Sequence, residues 1–317
     1  AGSPKLHIGT PLPNPLRERL MRGVLQVLLL LPQPHLASAL RLEQAAMVKS
    51  PFNNVLLVVH CRLKVFDIDR PAVCAEREPL YEGYKKYFGE VHYLPYNQCN
   101  RLGDPHVCLA PLMMSLGAKR DGIFYMHFDS LIRPRRLSPT FDVTKMYSFN
   151  QRTWCEINQT TLLQEHCICN WWGPGRAVSY QRAIKQLRTS NVAAFNDLSL
   201  WEFWIGNDDM FYLPRSVYHL YYPLADAFGI VHHEIAGPSM RAIMERITSV
   251  PVVSMACSGS CCEQLESEVA FRANFTCGHA FDLSVNQTRD AFPTAISTYR
   301  DVMSLETWRQ VMKQALE

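Results

Sequence analysis

Two apolar runs constrain this chain most: NNVLLVVHCRL at 53–63 and GIFYMHF at 122–128. A half-exposed strand would alternate, so continuous Val, Leu, Ile and Phe reads as strands buried on both faces, as in a parallel sheet covered by helices. Between them, EPLYEGYKKYFGE (78–90) spaces Leu80, Tyr84, Tyr87 and Phe88 as a helix does and stops near Gly89. VHYLPY (91–96) gives a short strand closed by Pro95. HVCLAPLMMSLGA (106–118) predicts a second helix, with Pro111 in its first turn. Strand, helix, strand, helix, strand predicts an α/β fold with crossover helices.

The second half is less regular. NWWGPGRAVSYQRAIKQL enters a helix near Ala177 after a Gly-Pro-Gly loop at 173–175, which fits no phosphate-binding glycine motif. WEFWIGNDDMFYLPRSVYHLYYPLADAF (201–228) reads as strand, acidic turn, strand and helix, and HHEIAGPSMRAIMERI starts a helix around Pro238. SLETWRQVMKQAL (304–316) predicts a terminal helix. MRGVLQVLLLLPQPHLASA, from Met21, has the outline of a signal peptide but is internal, and reads as a packed helix ended by Pro32 and Pro34. No long linker intervenes. The division is an N-terminal stem or helical extension at 1–50 and one domain at 51–317, with halves 51–140 and 141–317. Ala1-Gly2-Ser3 reads as a cloning remnant, so a membrane anchor can precede the chain.

Composition then narrows the class. Hydrophobic residues at 48% and charged ones at 19% suit a packed globular protein and argue against disorder, and a net charge of +3 with no basic stripe argues against a nucleic-acid partner. Eleven cysteines are many for a reduced compartment, and their spacing lacks two CxxC-type pairs, so disulfides are favoured over structural zinc. Sequons at Asn158, Asn274 and Asn286 agree with an oxidised secretory lumen and a glycoprotein. The odd cysteine count leaves at least one thiol unpaired within the chain.

Chemistry is signalled where the strand at 122–128 ends on His127-Phe128-Asp129 and runs into Arg133, Arg135 and Arg136. Burying an unpaired carboxylate is costly, so Asp129 has either a partner or a ligand. In open α/β sheets ligands bind beyond the carboxyl ends of the strands. A carboxylate there can hold a divalent cation that bridges a diphosphate, with arginines adding charge. The plain alternative is a turn-capping acid beside solvated arginines.

At this point the order of motifs resembles the nucleotide-sugar-dependent glycosyltransferases of the GT-A fold, over roughly residues 53–285. The resemblance implies a Rossmann-type mixed sheet with flanking helices, a nucleotide-sugar half and an irregular acceptor half. HFD at 127–129 is similar to their DxD motif with His127 in place of the first acid. It implies a cation, expected to be Mn2+, on Asp129, His127 and the late His279 of CGHAFDL, with Arg133, Arg135 and Asp208 on the donor. Glu234 and Asp209 become the catalytic candidates, Glu234 as base and Asp209 orienting the sugar. Each has a plain counterpart: turn acids for Asp208 and Asp209, a carboxylate favoured by the helix dipole for Glu234, a structural residue for His279. Trp171, Trp172, Trp201 and Trp204 can wall a sugar or simply fill the core.

The implied activity is transfer of a hexosyl or pentosyl group from a nucleotide-diphosphate sugar to a glycan or glycoprotein acceptor, in the secretory lumen and most naturally the Golgi. Two alternatives stay open. One is a binding or scaffold protein of the same fold without chemistry, for which His127 is the best argument. The other is a glycoside hydrolase using two carboxylates such as Asp209 and Glu234.

Overall fold

The computed structural model describes residues 50–61, 75–94, 105–165, 174–259, 275–281, 283 and 286–297. The expectations for the 1–49 extension, Trp171, Trp172, Asn274 and the terminal helix fall outside them. The first half contains β1 (Val55–His60), β2 (Glu90–Leu94), α1 (Pro105–Ser115), β3 (Gly122–His127), β4 (Leu131–Ile132) and α2 (Pro134–Leu137). The second half supplies β5 (Met146–Ser148), β6 (Thr153–Ile157), β7 (Gln164–Glu165), α3 (Pro174–Arg188), β8 (Glu202–Ile205) and β9 (Met210–Pro214). It closes with α4 (Tyr218–Phe228), α5 (His233–Thr248), β10 (Val252–Ser254), β11 (Cys277–Gly278) and α6 (Asn286–Ser297).

The fold is mixed α/β around a six-stranded sheet ordered β10-β5-β9-β3-β1-β2. β1 pairs parallel with both β2 and β3, and β10 with β5. β9 alone runs antiparallel, to β3 on one side and β5 on the other. Strand period sorts the core: Leu56, Val58, Ile123, Tyr125, Phe211 and Leu213 face one layer, while Val55, Leu57, Val59, Phe124, Met126 and Tyr212 face the other. Helices α1, α3, α4 and α5 bury Leu109, Ile184, Leu224 and Met240 in the first layer. The opposite layer is aromatic, with Phe52, Tyr84, Phe88, Phe141 and Phe292.

Four local expectations need correction, one being that α3 begins at Pro174, so Pro174 and Gly175 are helical and not part of a loop before Ala177. Glu78–Lys86 is a 3-10 helix, not an α-helix. Its three-residue turn eclipses i and i+3, and Tyr81 stacks on Tyr84 with centroids 6.2 Å apart, both buried. α1 begins at Pro105, so Pro111 lies in its interior. α5 begins at His233, so Pro238 is also interior and Glu234 sits inside the first turn. Pro238 has no N–H for the Glu234 carbonyl, which instead accepts from Gly206 N–H at 3.0 Å. The proline therefore fastens the end of β8 to α5.

The second half is more regular than its sequence suggests. β6 lies between β7 and β8 in a separate antiparallel sheet, and α5 is tied to β8 where Ser239 Oγ both accepts from Trp204 N–H and donates to Trp204 C=O, each at 3.1 Å. Cys257 and Cys277 form a disulfide, and Cys61, Cys108 and Cys155 are also disulfide-bonded. Among the described residues no helix is long and apolar enough to cross a membrane.

Candidate functional site

The reversed direction of β9 assembles the site. Because β9 is antiparallel to β3, its amino end meets the carboxyl end of β3, and His127 N–H donates to Asp209 C=O at 2.8 Å. Residues 82 positions apart thereby share one edge, His127 Nδ1 lying 2.9 Å from Asp209 Oδ1. The third arm arrives through the antiparallel pair β4–β11, which places His279 just past the strand. Phe281 N–H donates to Asp129 C=O at 3.0 Å, and Ser258 N–H to Cys277 C=O at 2.8 Å. The Cys257–Cys277 disulfide closes the same loop two residues before His279. Ala280, directly after it, holds the left-handed conformation with φ 68°, a strain that persists only where neighbours fix the backbone.

His279 lies between two carboxylates, Nε2 at 3.4 Å from Asp129 Oδ1 and Nδ1 at 3.5 Å from Asp209 Oδ2. Burial alone would lower this imidazole, yet Asp129, then Asp209 and Glu234, outweigh it and raise it to about 9. Burial would likewise raise the Asp209 carboxyl. The charges of His127, His279 and His233 prevail and hold it far below the usual carboxylate range. Asp209 is thus an ionised electrostatic anchor and a poor proton acceptor.

Donor atoms of His127, Asp209 and His279 lie within 4.8 Å of one another. The chemistry of this set suits a cation: His127 Nε2 and His279 Nδ1 are buried without a hydrogen-bond partner. A divalent ion therefore fits here, and the set differs from the one read in sequence by containing Asp209 where Asp129 was expected. Asp129, more open at 28% side-chain exposure, stands on the other side of the His279 ring.

The remaining candidates separate. Asp208 points away from Asp209, as successive residues near a strand do, and is fully buried. Arg241 Nη1 donates to its Oδ1 at 2.7 Å and His106 Nε2 lies 2.6 Å from its Oδ2, while His106 Nδ1 meets Tyr221 OH at 2.7 Å. This network escaped the sequence reading, since its members come from α1, α4 and α5. Arg133 is buried too, its Nη1 donating to Phe275 C=O at 3.4 Å. Arg135 is exposed, 5.9 Å over the Tyr87 ring. Glu234 is buried at the start of α5 with Oε2 3.9 Å from His232 Nδ1, and its charge reaches both His279 and Arg176.

Histidines beyond His127 and His279 were also missed. His60 pairs with His127 in register on β1 and holds Tyr125 OH at 2.7 Å, while the His233 ring lies 6.4 Å from that of His127. A small recess of about 20 Å³, room for little more than water, is lined by Val59, Arg77, Tyr81, Tyr93 and Phe128. No protein-family model matches the sequence, and no curated protein is similar enough to count as a relative.

Proposed function

We propose that this chain is a glycosyltransferase that moves a sugar from a nucleoside-diphosphate donor to a glycan or glycoprotein acceptor with the help of a divalent cation. The observation that carries the reading is the meeting of Asp129, Asp209, His127 and His279 at the carboxyl ends of the parallel strands, where α/β sheets bind ligands. When bound, the cation would neutralise charge growing on the diphosphate leaving group.

The chain's own residues supply the rest. His127, Asp209 and His279 hold the cation, and Asp129 orients His279 and faces the open side of the edge. Asp209 stays ionised, so proton transfer falls to another group. We assign that role to Glu234, in the first turn of α5, whose charge contributes to raising His279, as the base that would take a proton from an acceptor hydroxyl. Its main-chain carbonyl is held by Gly206 N–H. The disulfides suit a secretory-pathway lumen, and residence in the Golgi belongs to the same proposal.

A thermal-shift screen of nucleoside diphosphates, with and without divalent cation, tests the reading. At least one should stabilise the protein only when cation is present, and Asp129→Asn should abolish that increment while leaving the unliganded melting temperature within a few degrees. Stabilisation by nucleotide that ignores cation would favour a metal-free binding protein of this architecture.

A further inference from the structure

We propose that the His127–Asp209–His279 cluster selects a first-row transition metal, Zn2+ or Co2+ ahead of Mn2+ and far ahead of Mg2+ or Ca2+. The inference deepens the reading above by naming the class of cation, and it rests on geometry that needs no nucleotide. Two of the three donors are imidazole nitrogens. Mg2+ and Ca2+ are hard ions that take oxygen ligands, and Mg2+ keeps most of its water. Imidazole suits Zn2+, Co2+ and their neighbours, with Mn2+ the weakest in the series.

The spacing agrees. Bonds of 2.0–2.2 Å place the ligand atoms of a four-coordinate ion roughly 3.3–3.6 Å apart. One ligand atom each of His127, Asp209 and His279 lies within 4.8 Å of the others, so a small inward shift brings all three onto one ion, with His279 Nδ1 already 3.5 Å from Asp209 Oδ2. Asp129 completes the arrangement from outside, since a metal-binding histidine commonly gives its second ring nitrogen to a carboxylate. Here Nε2 of His279 faces Asp129 and Nδ1 faces Asp209. The His127 side chain is only 7% exposed and that of His279 11%, and His127 Nε2 and His279 Nδ1 have no hydrogen-bond partner, so the site is built rather than incidental. Three protein donors also leave a coordination position for a ligand.

The test strips the folded chain with chelator and titrates it with each cation alone by calorimetry, following Co2+ by visible absorption as well. One Zn2+ or Co2+ should bind per chain, on the order of a hundredfold or more tighter than Mg2+. Asp129→Asn should weaken Zn2+ by about 10–100-fold, and His127→Gln or His279→Gln by at least as much. Should those variants fail to fold, the wild-type chain decides: bound Co2+ should show the strong visible bands of a four-coordinate site with nitrogen ligands, and Zn2+ should displace it. Mg2+ binding as tightly as Zn2+, no cation bound, or only the weak bands of six-coordinate Co2+ would overturn the inference. None of these readouts involves nucleotide, so the cation assignment and the glycosyltransferase reading fall separately.

Discussion

Gly237→Ala probes how firmly the site is held from behind. Gly237 lies early in α5, and a Cβ there would overlap the Asp208 carboxylate. That carboxylate has nowhere to go, because it is fully buried and fixed by Arg241 at 2.7 Å and His106 at 2.6 Å. Alanine gains up to about 1 kcal/mol over glycine in a helix interior. Overpacking costs about 1–3 kcal/mol, and breaking a buried charge pair about 3–5 kcal/mol. With the carboxylate displaced, the net loss is about 2–5 kcal/mol. Urea unfolding of metal-free protein measures it. The same substitution in an Asp208→Ala background should cost nothing further, because the overlapping group is gone. A Gly237→Ala protein within about 1 kcal/mol of wild type, the usual range of neutral surface changes, would refute a rigid Asp208 lock.

Three further outcomes follow from the same geometry. In chelator, the stabilisation from charged His279 is fully present below its ordinary value near 6.5 and is lost as pH rises through about 9, so the melting temperature should fall across that window. His279→Gln should flatten that slope, and an unchanged slope would remove His279 from between the two carboxylates. Replacing Cys257 and Cys277 by serine opens a closure of 20 residues and should cost about 3 kcal/mol, with weaker cation binding because His279 loses its anchor; equal cation affinity would show the arm is held otherwise. Glu234→Gln should lower turnover by about 10²–10⁴ if transfer inverts the anomeric centre, with donor affinity little changed. Near-normal turnover with full acceptor affinity would take Glu234 out of the site.

The parallel half of the sheet was legible because β1 and β3 carry unbroken apolar runs, and Asp129 stood out as a charge ending one of them. His127 and Asp209 were visible as residues but not as neighbours. Their contact depends on β9 running antiparallel to β3, which hydrophobic pattern alone does not encode. The partners of Asp208 were hidden for the same reason, lying 102 residues before it at His106 and 33 after it at Arg241. The start of α5 was misplaced because its cap, His232, makes no side-chain cap bond and lacks the usual Ser, Thr or Asp signal, while Pro238 resembles a first-turn residue. Only the structure shows that Pro238 frees the Glu234 carbonyl for Gly206.

The most direct measurement of the central claim is transfer itself. The folded, cation-loaded chain would be incubated with a panel of nucleotide-diphosphate sugars and mixed glycan acceptors, and release of nucleoside diphosphate followed against time. The account predicts release from at least one donor that requires both acceptor and cation and is lost in Asp129→Asn. A folded, cation-loaded protein that consumes no donor across the panel, or one that hydrolyses glycans without any nucleotide sugar, would contradict it.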